Sequence, residues 1–595
     1  MDAKHVGVRF AQSAAAHARR PATRVAVGEG WSVRTYGQLA ADVRRLAARL
    51  IDLGLDAGDR VAILSPNLPD WTLTDLACAS AGLVSVPLYP TSTPEQIKYA
   101  LDDSDSRVLF VAGAEEVVKV TEVRAELPQL IRVVSFVEVA DVDDVSSLAA
   151  ELAAAPEDQS AVDARLENAS GDDLATIIYT SGTTGVPKGV MLTHRGFTFQ
   201  SDVLNKYFSI TDLDSSLCFL PLSHALERAW TYVVLFAGAV NTYVPDTRTV
   251  AEAMVRVRPN MMVSVPRLYE KVFLTAKDKV AGSRVKRALM GWALRTGTAF
   301  HTAERDGITP SPYLSLTFRL ADKLVLSSIR DAMGGPKKVL ACGGAPLRKE
   351  IEEFFFACGL LVLQGYGLTE TSPLTTFPSP DRYRFGTVGK VVDGGELRLA
   401  DEDEICYRGP NVMTGYWGKP EDTAAVLKDG WLHSGDIGHI DADGYLSITG
   451  RIKDLIVTSN GKNIAPSPIE GLLAADPLFE YTLLLGDNRP CLTLLVAPSL
   501  PHLETIGHQL QLTWSRREEL LNHPEILAEL KRRAHTLTSK LAKHEQIKDL
   551  RLLLEEFTLE NGLLTPTLKV KRKEVERRFS QLVDEMYAKA GRPRT

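Results

Sequence analysis

From Thr35 to Val111 the chain alternates between helical and extended patterns, and this alternation most narrows the folds open to it. Thr35 followed by Gln38 reads as a capping box, in which two side chains satisfy backbone donors at a helix start. Leu39, Val43, Leu46 and Leu50 then recur at steps of four, three and four, an apolar face down one helix. Gly54 can end that helix, and Arg60-Val-Ala-Ile-Leu64 predicts a buried strand. The pattern repeats with a helix near 71–80, a strand at 84–88, a helix from Pro94 and a strand at 107–111. Such alternation predicts an α/β chain of mostly parallel sheets covered by helices.

Further strands are expected at 174–179, 261–265, 337–341 and 360–363. A mostly helical stretch rich in Arg, Lys and Ala, from about 271 to 335, reads as an insertion. After Gly394 short strands and turns form a β-rich subdomain ending at Thr449-Gly450-Arg451. Beyond Asp454 the tail has strands of its own at 481–486 and 492–497, then a long charged helical segment from about 515 to 545. At 595 residues the chain is too long for one core. The expected division is a large domain over 1–452 and a small α+β domain over 453–595.

A net charge of −7 gives no general attraction to nucleic acid, and no nucleic-acid role is expected. The six cysteines form no CxxC pair, so neither a disulfide framework nor a zinc site is predicted. The first twenty residues lack the apolar core of a signal peptide. The longest apolar stretch, about 232–244, is interrupted by Asn241 and is too short to span a bilayer. The expected location is cytoplasmic, with any membrane contact peripheral at the inner face.

Tyr179-Thr-Ser-Gly-Thr-Thr-Gly-Val-Pro-Lys-Gly189 follows a predicted strand. Gly182 and Gly185 permit backbone N–H groups to converge on an anion. Thr180, Ser181, Thr183 and Thr184 offer hydroxyl donors, and Lys188 adds a positive charge. Gly189 follows Lys188 where a Walker A loop has Ser or Thr, which excludes the kinase-type loop. A Gly/Thr surface turn would have a similar composition. Six more segments follow in order: Leu220-Pro-Leu-Ser-His-Ala-Leu-Glu-Arg228, Gly343-Gly-Ala-Pro346, Gln364-Gly-Tyr-Gly-Leu-Thr-Glu-Thr371, His433-Ser-Gly-Asp436, Gly450-Arg-Ile-Lys-Asp454 and Thr565-Pro-Thr-Leu-Lys569.

Together these segments resemble adenylate-forming enzymes, which include acyl-CoA synthetases, luciferases and peptide-synthetase adenylation domains, over nearly the whole chain. Ser223-His-Ala-Leu-Glu-Arg228, Val265-Pro-Arg-Leu-Tyr-Glu-Lys271 and the helical insertions are similar to long-chain fatty acyl-CoA synthetases in particular. The resemblance implies ATP, Mg²⁺, CoA and a long-chain fatty acid as reactants, and a mobile small domain with its hinge near Lys453.

It also implies roles. Tyr366 would offer its ring to adenine, Thr369 would donate to the α-phosphate, and Glu370 would hold Mg²⁺. Asp436 would accept from both ribose hydroxyls, with Arg451 on ribose or phosphate. Lys569 would bridge carboxylate and phosphate; Leu568 stands where the family more often has glycine, which keeps Lys571 as second choice. Gly461 would border the thiol tunnel. Gly343 and Gly344 would let backbone approach the acyl chain, and His224 would line the passage to the adenylate or else be a packed core histidine. Leu226, Trp230 and Val234, four apart, would line an alkyl tunnel or belong to the core. The rivals are a fatty acyl-AMP ligase serving a separate carrier protein and a nucleotide-binding relative without turnover.

Overall fold

The computed structural model describes residues 1–140, 142, 144–180, 186–558, 561–565 and 570–590. These form two compact units. One comprises Met1–Arg398, Cys406–Ser434 and Ile440–Ser447; the other comprises Leu399–Ile405, Gly435–His439 and Ile448–Thr595.

The helix signals of the first unit act where the sequence places them. Thr35 Oγ1 accepts from the Gln38 N–H at 3.2 Å and Gln38 Oε1 from the Thr35 N–H at 2.9 Å, starting the helix Tyr36–Asp52. Its stripe of Leu39, Val43, Leu46 and Leu50 is buried. A second capping box, Thr93 with Gln96, starts Pro94–Asp103. Strand Arg60–Leu64 is flanked in parallel by Val84–Leu88 and Ser106–Val111 and is apolar on both faces, as a helix-covered sheet requires.

Two sheets result. The first runs in the order Gly415–Tyr416, Lys188–Thr193, Leu174–Thr180, Val84–Leu88, Arg60–Leu64, Ser106–Val111, Arg132–Ser135 and Val145–Ser147. It is parallel except at its first two pairings, which are antiparallel. The second runs Val362–Gln364, Val339–Cys342, Met261–Ser264, Ser215–Cys218, Val240–Tyr243, Pro21–Val27 and Gly30–Thr35, parallel up to the closing hairpin. The mostly parallel α/β class expected from the alternation is what the chain forms.

Helix Pro69–Ser80 leads into a strand of the first sheet, and Ala225–Phe236 lies between two strands of the second. A buried ion pair joins these helices. Arg228 donates from Nη2 to Asp75 Oδ1 at 2.5 Å and from Nε to Asp75 Oδ2 at 3.1 Å. Its Nη1 reaches Thr176 Oγ1 at 2.7 Å, its Nη2 also reaches Ser85 Oγ at 2.6 Å, and Nε is shared with Tyr232 Oη at 3.0 Å. Trp71 and Phe197 present their rings to the same guanidinium.

The stretch read as an insertion is a helical hairpin, Arg284–Arg305 and Pro312–Ala321. A wider π-type turn, Asp322–Leu326, and helix Ser327–Ala332 continue it. Met290, Ala293, Ala321, Leu326 and Ile329 anchor it in a core shared with Phe354 and Phe355. All six cysteines are free.

In the second unit, Tyr481–Leu485, Leu492–Ala497 and Ile547–Leu552 form one sheet, with an antiparallel and then a parallel pairing. The charged helical segment expected over 515–545 consists of Arg517–Leu521, Pro524–Leu537 and a short turn at Lys543–Glu545. Pro524 supplies no N–H and disfavours helix at His523, so a new helix begins there.

Asp75→Ala should destabilise the protein by about 3–5 kcal/mol, because it leaves the Arg228 charge buried and unpaired. The double variant Asp75→Leu/Arg228→Met should lose less than Asp75→Ala in denaturant titrations. An equal or larger loss would remove the charge pair as the cause.

Candidate active site

Strands Leu174–Thr180 and Lys188–Thr193 form an antiparallel hairpin with Thr180 opposite Lys188, so both stand at the base of the phosphate-loop candidate. Ser181, Gly182, Thr183, Thr184 and Gly185 lie outside the described residues. Lys188 Nζ is 2.6 Å from Asp422 Oδ1 and 5.3 Å from the centre of the Tyr416 ring. Tyr416 Oη in turn donates to Glu370 Oε1 at 2.9 Å. Lys188 and Glu370 are therefore neighbours through one tyrosine. Backbone bonds fix this arrangement: the Trp417 N–H donates to Gly189 O and the Met413 N–H to Glu370 O, both at 2.8 Å.

Tyr366, Thr369 and Glu370 sit on a tight backbone path. The Tyr366 N–H donates to Thr376 O at 3.0 Å, and Thr369–Thr371 is one 3₁₀ turn. A Cβ on Gly367 would fall 1.7 Å from Pro373 O, so this path closes only with glycine there. Gly365 is confined in the same way, 2.2 Å from the Phe377 ring.

His224 caps the helix Ala225–Phe236, its Nδ1 accepting from the Leu226 N–H at 3.2 Å. The preceding loop is clamped from two sides. Asn67 donates to Leu220 O at 2.6 Å and accepts from the Leu222 N–H at 3.0 Å, while Glu227 Oε2 accepts from the Leu220 N–H at 3.0 Å. A Cβ on Gly343 would lie 3.6 Å from the Leu226 side chain, and one on Gly344 3.6 Å from Val265. His224, Leu226, Val265 and the two glycines thus form one neighbourhood. Trp230 and Val234 do not join it: both are core residues, and Trp230 Nε1 donates to Ser216 Oγ at 2.9 Å. Of Leu226, Trp230 and Val234, only Leu226 is partly exposed.

Glu227 is fully buried, and that burial pushes its carboxyl up to about 8, against the lowering effect of the Leu220 N–H. The proton is retained in the folded chain at a pH where the unfolded chain has released it. Stability therefore falls as pH rises from the ordinary glutamate range toward about 8.

In the second unit Arg451 Nε donates to Asp436 Oδ1 at 2.7 Å, so two residues assigned separately to the nucleotide are paired with each other. Asp436 is nearly buried and Arg451 half-exposed. Gly461, at φ +70°, closes a turn in which its N–H donates to Thr458 O at 2.8 Å. Lys453 lies in the short turn Ile452–Asp454. Lys569 is outside the described residues. Lys571 precedes helix Arg572–Arg578, and Arg572 is engaged by Glu470 and Leu484 O, each at 2.7 Å. Arg572 is accordingly not a free solvated cation.

Asp422, Tyr416, Asn67 and Glu227 were not among the sequence candidates. Glu227 lies within a quoted motif, next to Arg228. The other three meet their partners across long separations that no local pattern reports.

A family model described as AMP-binding enzyme matches residues 10–417, and one described as AMP-binding enzyme C-terminal domain matches 453–591. The chain belongs to the AMP-binding enzyme family. Among curated relatives of this family member, the long-chain-fatty-acid–CoA ligase FadD15 of Mycobacterium bovis is 34% identical over 94% of this chain and 93% of its own length. The peroxisomal long chain acyl-CoA synthetase 6 of Arabidopsis thaliana is 32% identical over 94% of this chain and 82% of its own. Among solved structures, ATP-bound MatB from Rhodopseudomonas palustris superposes with a TM-score of 0.71 at 24% identity, covering 97% of this chain and 99% of that one. The adenylation domain of a carboxylic acid reductase from Segniliparus rugosus gives 0.76 at 21% identity, covering 99% and 94%. These likenesses establish the shared AMP-binding enzyme fold.

Gly367→Ala should displace the Tyr366–Glu370 path and lower the rate of adenylate formation by about 100-fold, the scale expected for a misplacement of roughly 1 Å. Pyrophosphate exchange reads this, and an unchanged rate would remove the path from the site. Glu227→Gln keeps an acceptor for the Leu220 N–H but no titrating proton. Its stability should decline less between pH 5.5 and 7.5 than that of the parent chain in parallel urea titrations.

Proposed function

We propose that this AMP-binding enzyme is an ATP-dependent long-chain fatty acid–CoA ligase, producing fatty acyl-CoA, AMP and pyrophosphate. The observation that carries the reading is the correspondence, at 34% identity over almost the full length of both chains, with a ligase of that name. The site's geometry suits the chemistry. A fatty carboxylate attacks the α-phosphorus of ATP and pyrophosphate leaves. The CoA thiol, losing its proton, then attacks the acyl carbonyl carbon and AMP leaves.

Both reactants of the first step are anions, so the site must gather cations and N–H donors where charge develops. Thr180, Ser181, Gly182, Thr183, Thr184, Gly185 and Lys188 would receive the β- and γ-phosphates. Lys188 starts from an ion pair with Asp422, which is 41% exposed, so exchanging that carboxylate for phosphate costs little. Thr369 would donate to the α-phosphate and Tyr366 would face adenine. Glu370 offers a hard carboxylate oxygen beside Lys188 and fits Mg²⁺, which would neutralise phosphate charge when bound. Asp436 and Arg451 would hold the ribose.

On the acyl side, His224 and Gly344 would border the carboxylate end of the fatty chain. Lys569 would bridge carboxylate and phosphate in the first step, and the Gly461 turn would serve the thiol in the second. Two groups of the tail thus act in different steps. This supports a mobile domain over 453–595, hinged near Lys453 against a body over 1–452. No described helix is long and apolar enough to cross a membrane.

Mass analysis of products from a fatty-acid panel with ATP and Mg²⁺, with and without CoA, tests the reading. Acyl-CoA should form only with CoA present. Adenylate that accumulates and never transfers to CoA would favour a carrier-loading enzyme. Lys569→Ala should lower pyrophosphate exchange by about 10²–10³ while supplied acyl-AMP still yields thioester. That selective loss appearing in Lys571→Ala instead would shift the assignment by two residues.

A further inference from the structure

The helical hairpin over 284–332 carries an apolar stripe that nothing in the fold covers. Tyr313, Leu316, Leu320 and Leu324 are 78%, 68%, 51% and 53% exposed. They recur at steps of three, four and four, so they share one helix face. Ile308, 62% exposed, adds to it from the loop joining the two helices. The opposite face is fixed, since Ala321, Leu326 and Ile329 are buried with Met290 and Ala293. The exposed stripe is therefore not the inner face of a helix that could simply roll over.

Charge distinguishes the possible occupants. Arg319 and Lys323, four residues apart, border the stripe, are exposed, and have no carboxylate at ion-pair distance among the described residues. The nearest acid in sequence, Asp322, is already held by Arg330 at 2.6 Å. Between 284 and 326 there are seven Lys and Arg against three Asp and Glu, in a chain whose net charge is −7. A second copy placed face to face would set cations against cations. An anionic bilayer accepts both parts, leucines at the acyl boundary and cations at the phosphates. The stripe is too short to span and suits a helix lying in the interface plane.

We propose that the exposed face of Pro312–Leu326 docks the protein on an anionic lipid surface, with Tyr313, Leu316, Leu320 and Leu324 entering the headgroup–acyl boundary and Arg319 and Lys323 meeting lipid phosphates. Such docking would bring the enzyme to the phase in which long-chain acids are concentrated. Vesicle binding is read without turnover, so it stands or falls separately from the ligase assignment.

The test is co-sedimentation of the full chain with phosphatidylcholine vesicles that contain or lack phosphatidylglycerol. The protein should bind the anionic vesicles. Leu316→Glu/Leu320→Glu and Arg319→Glu/Lys323→Glu should each weaken that binding at least about tenfold, the scale of losing two cations or two anchors at the surface. Unchanged thermal melting shows that each variant is folded. Absence of parent binding, or undiminished binding of both folded variants, overturns the proposal. So does equal binding to neutral vesicles, or loss of a dimer in these variants with vesicle binding unchanged.

Discussion

One guanidinium holds together the parts on which the first unit's site is built. Arg228 sits four residues past His224 on a helix of the second sheet, and its Nη1 reaches Thr176, four residues before Thr180 on a strand of the first. The strand that leads into the phosphate-loop candidate and the helix that carries Leu226 are thus fastened to one group. Asp75, Ser85 and Tyr232 complete its hydrogen bonds. A buried ion pair contributes little net stability over a well-packed apolar replacement, because both ions lose their hydration. What it supplies here is position: the donors of a planar guanidinium admit few arrangements of the groups around them.

Around that anchor the site follows from the direction of the strands. Leu174–Thr180 ends at the phosphate loop, Ser215–Cys218 runs into the loop bearing His224, and Met261–Ser264 ends at Val265. Val339–Cys342 ends at Gly343 and Gly344, and Val362–Gln364 at Tyr366 through Glu370. Each segment leaves the carboxyl end of a strand, where open α/β sheets leave their crevice. In the second sheet the strands that lead to His224, Val265, Gly343 and Tyr366 are parallel, so these residues leave the same edge although no local pattern links them. Asn67, just after strand Arg60–Leu64 of the first sheet, and Glu227, on the helix that follows Ser215–Cys218 of the second, then hold the His224 loop.

This explains what was legible in the sequence. The capping box at Thr35 and the stripe from Leu39 to Leu50 act within one helix, so they could be read directly. The packing that requires glycine at 365 and 367 was not legible, because Phe377 and Pro373 reach those positions only in the folded chain. The stripe of Leu226, Trp230 and Val234 was not resolved, since equal spacing places residues on one helix face without saying where that face turns from core to cavity. The charged helical segment expected over 515–545 is helical in three pieces, because Pro524 starts a new helix that composition alone does not mark. Tyr416 and Asp422 left no signal at all. Their value lies in a pairing with Lys188 that exists only after the short strand Gly415–Tyr416 joins the edge of the first sheet.

Burial separates the ion pair that holds the fold from those at the candidate site. Arg228 and Asp75 are each 2% exposed, and neither can exchange its partner without stranding a charge in a medium that screens it poorly. Lys188 and Asp422 are 20% and 41% exposed; Arg451 and Asp436 are 47% and 11%. For these pairs solvent can replace a departing partner, so exchange for a phosphate or ribose oxygen is a small step in free energy. A nucleotide site needs cations that remain in place before the ligand arrives yet are not committed when it does. Half-buried pairing meets both conditions. Asp422 keeps Lys188 near the loop base without sequestering it, and Tyr416 ties that lysine's surroundings to Glu370, so the cation proposed for phosphate and the carboxylate proposed for metal are neighbours of the same ring.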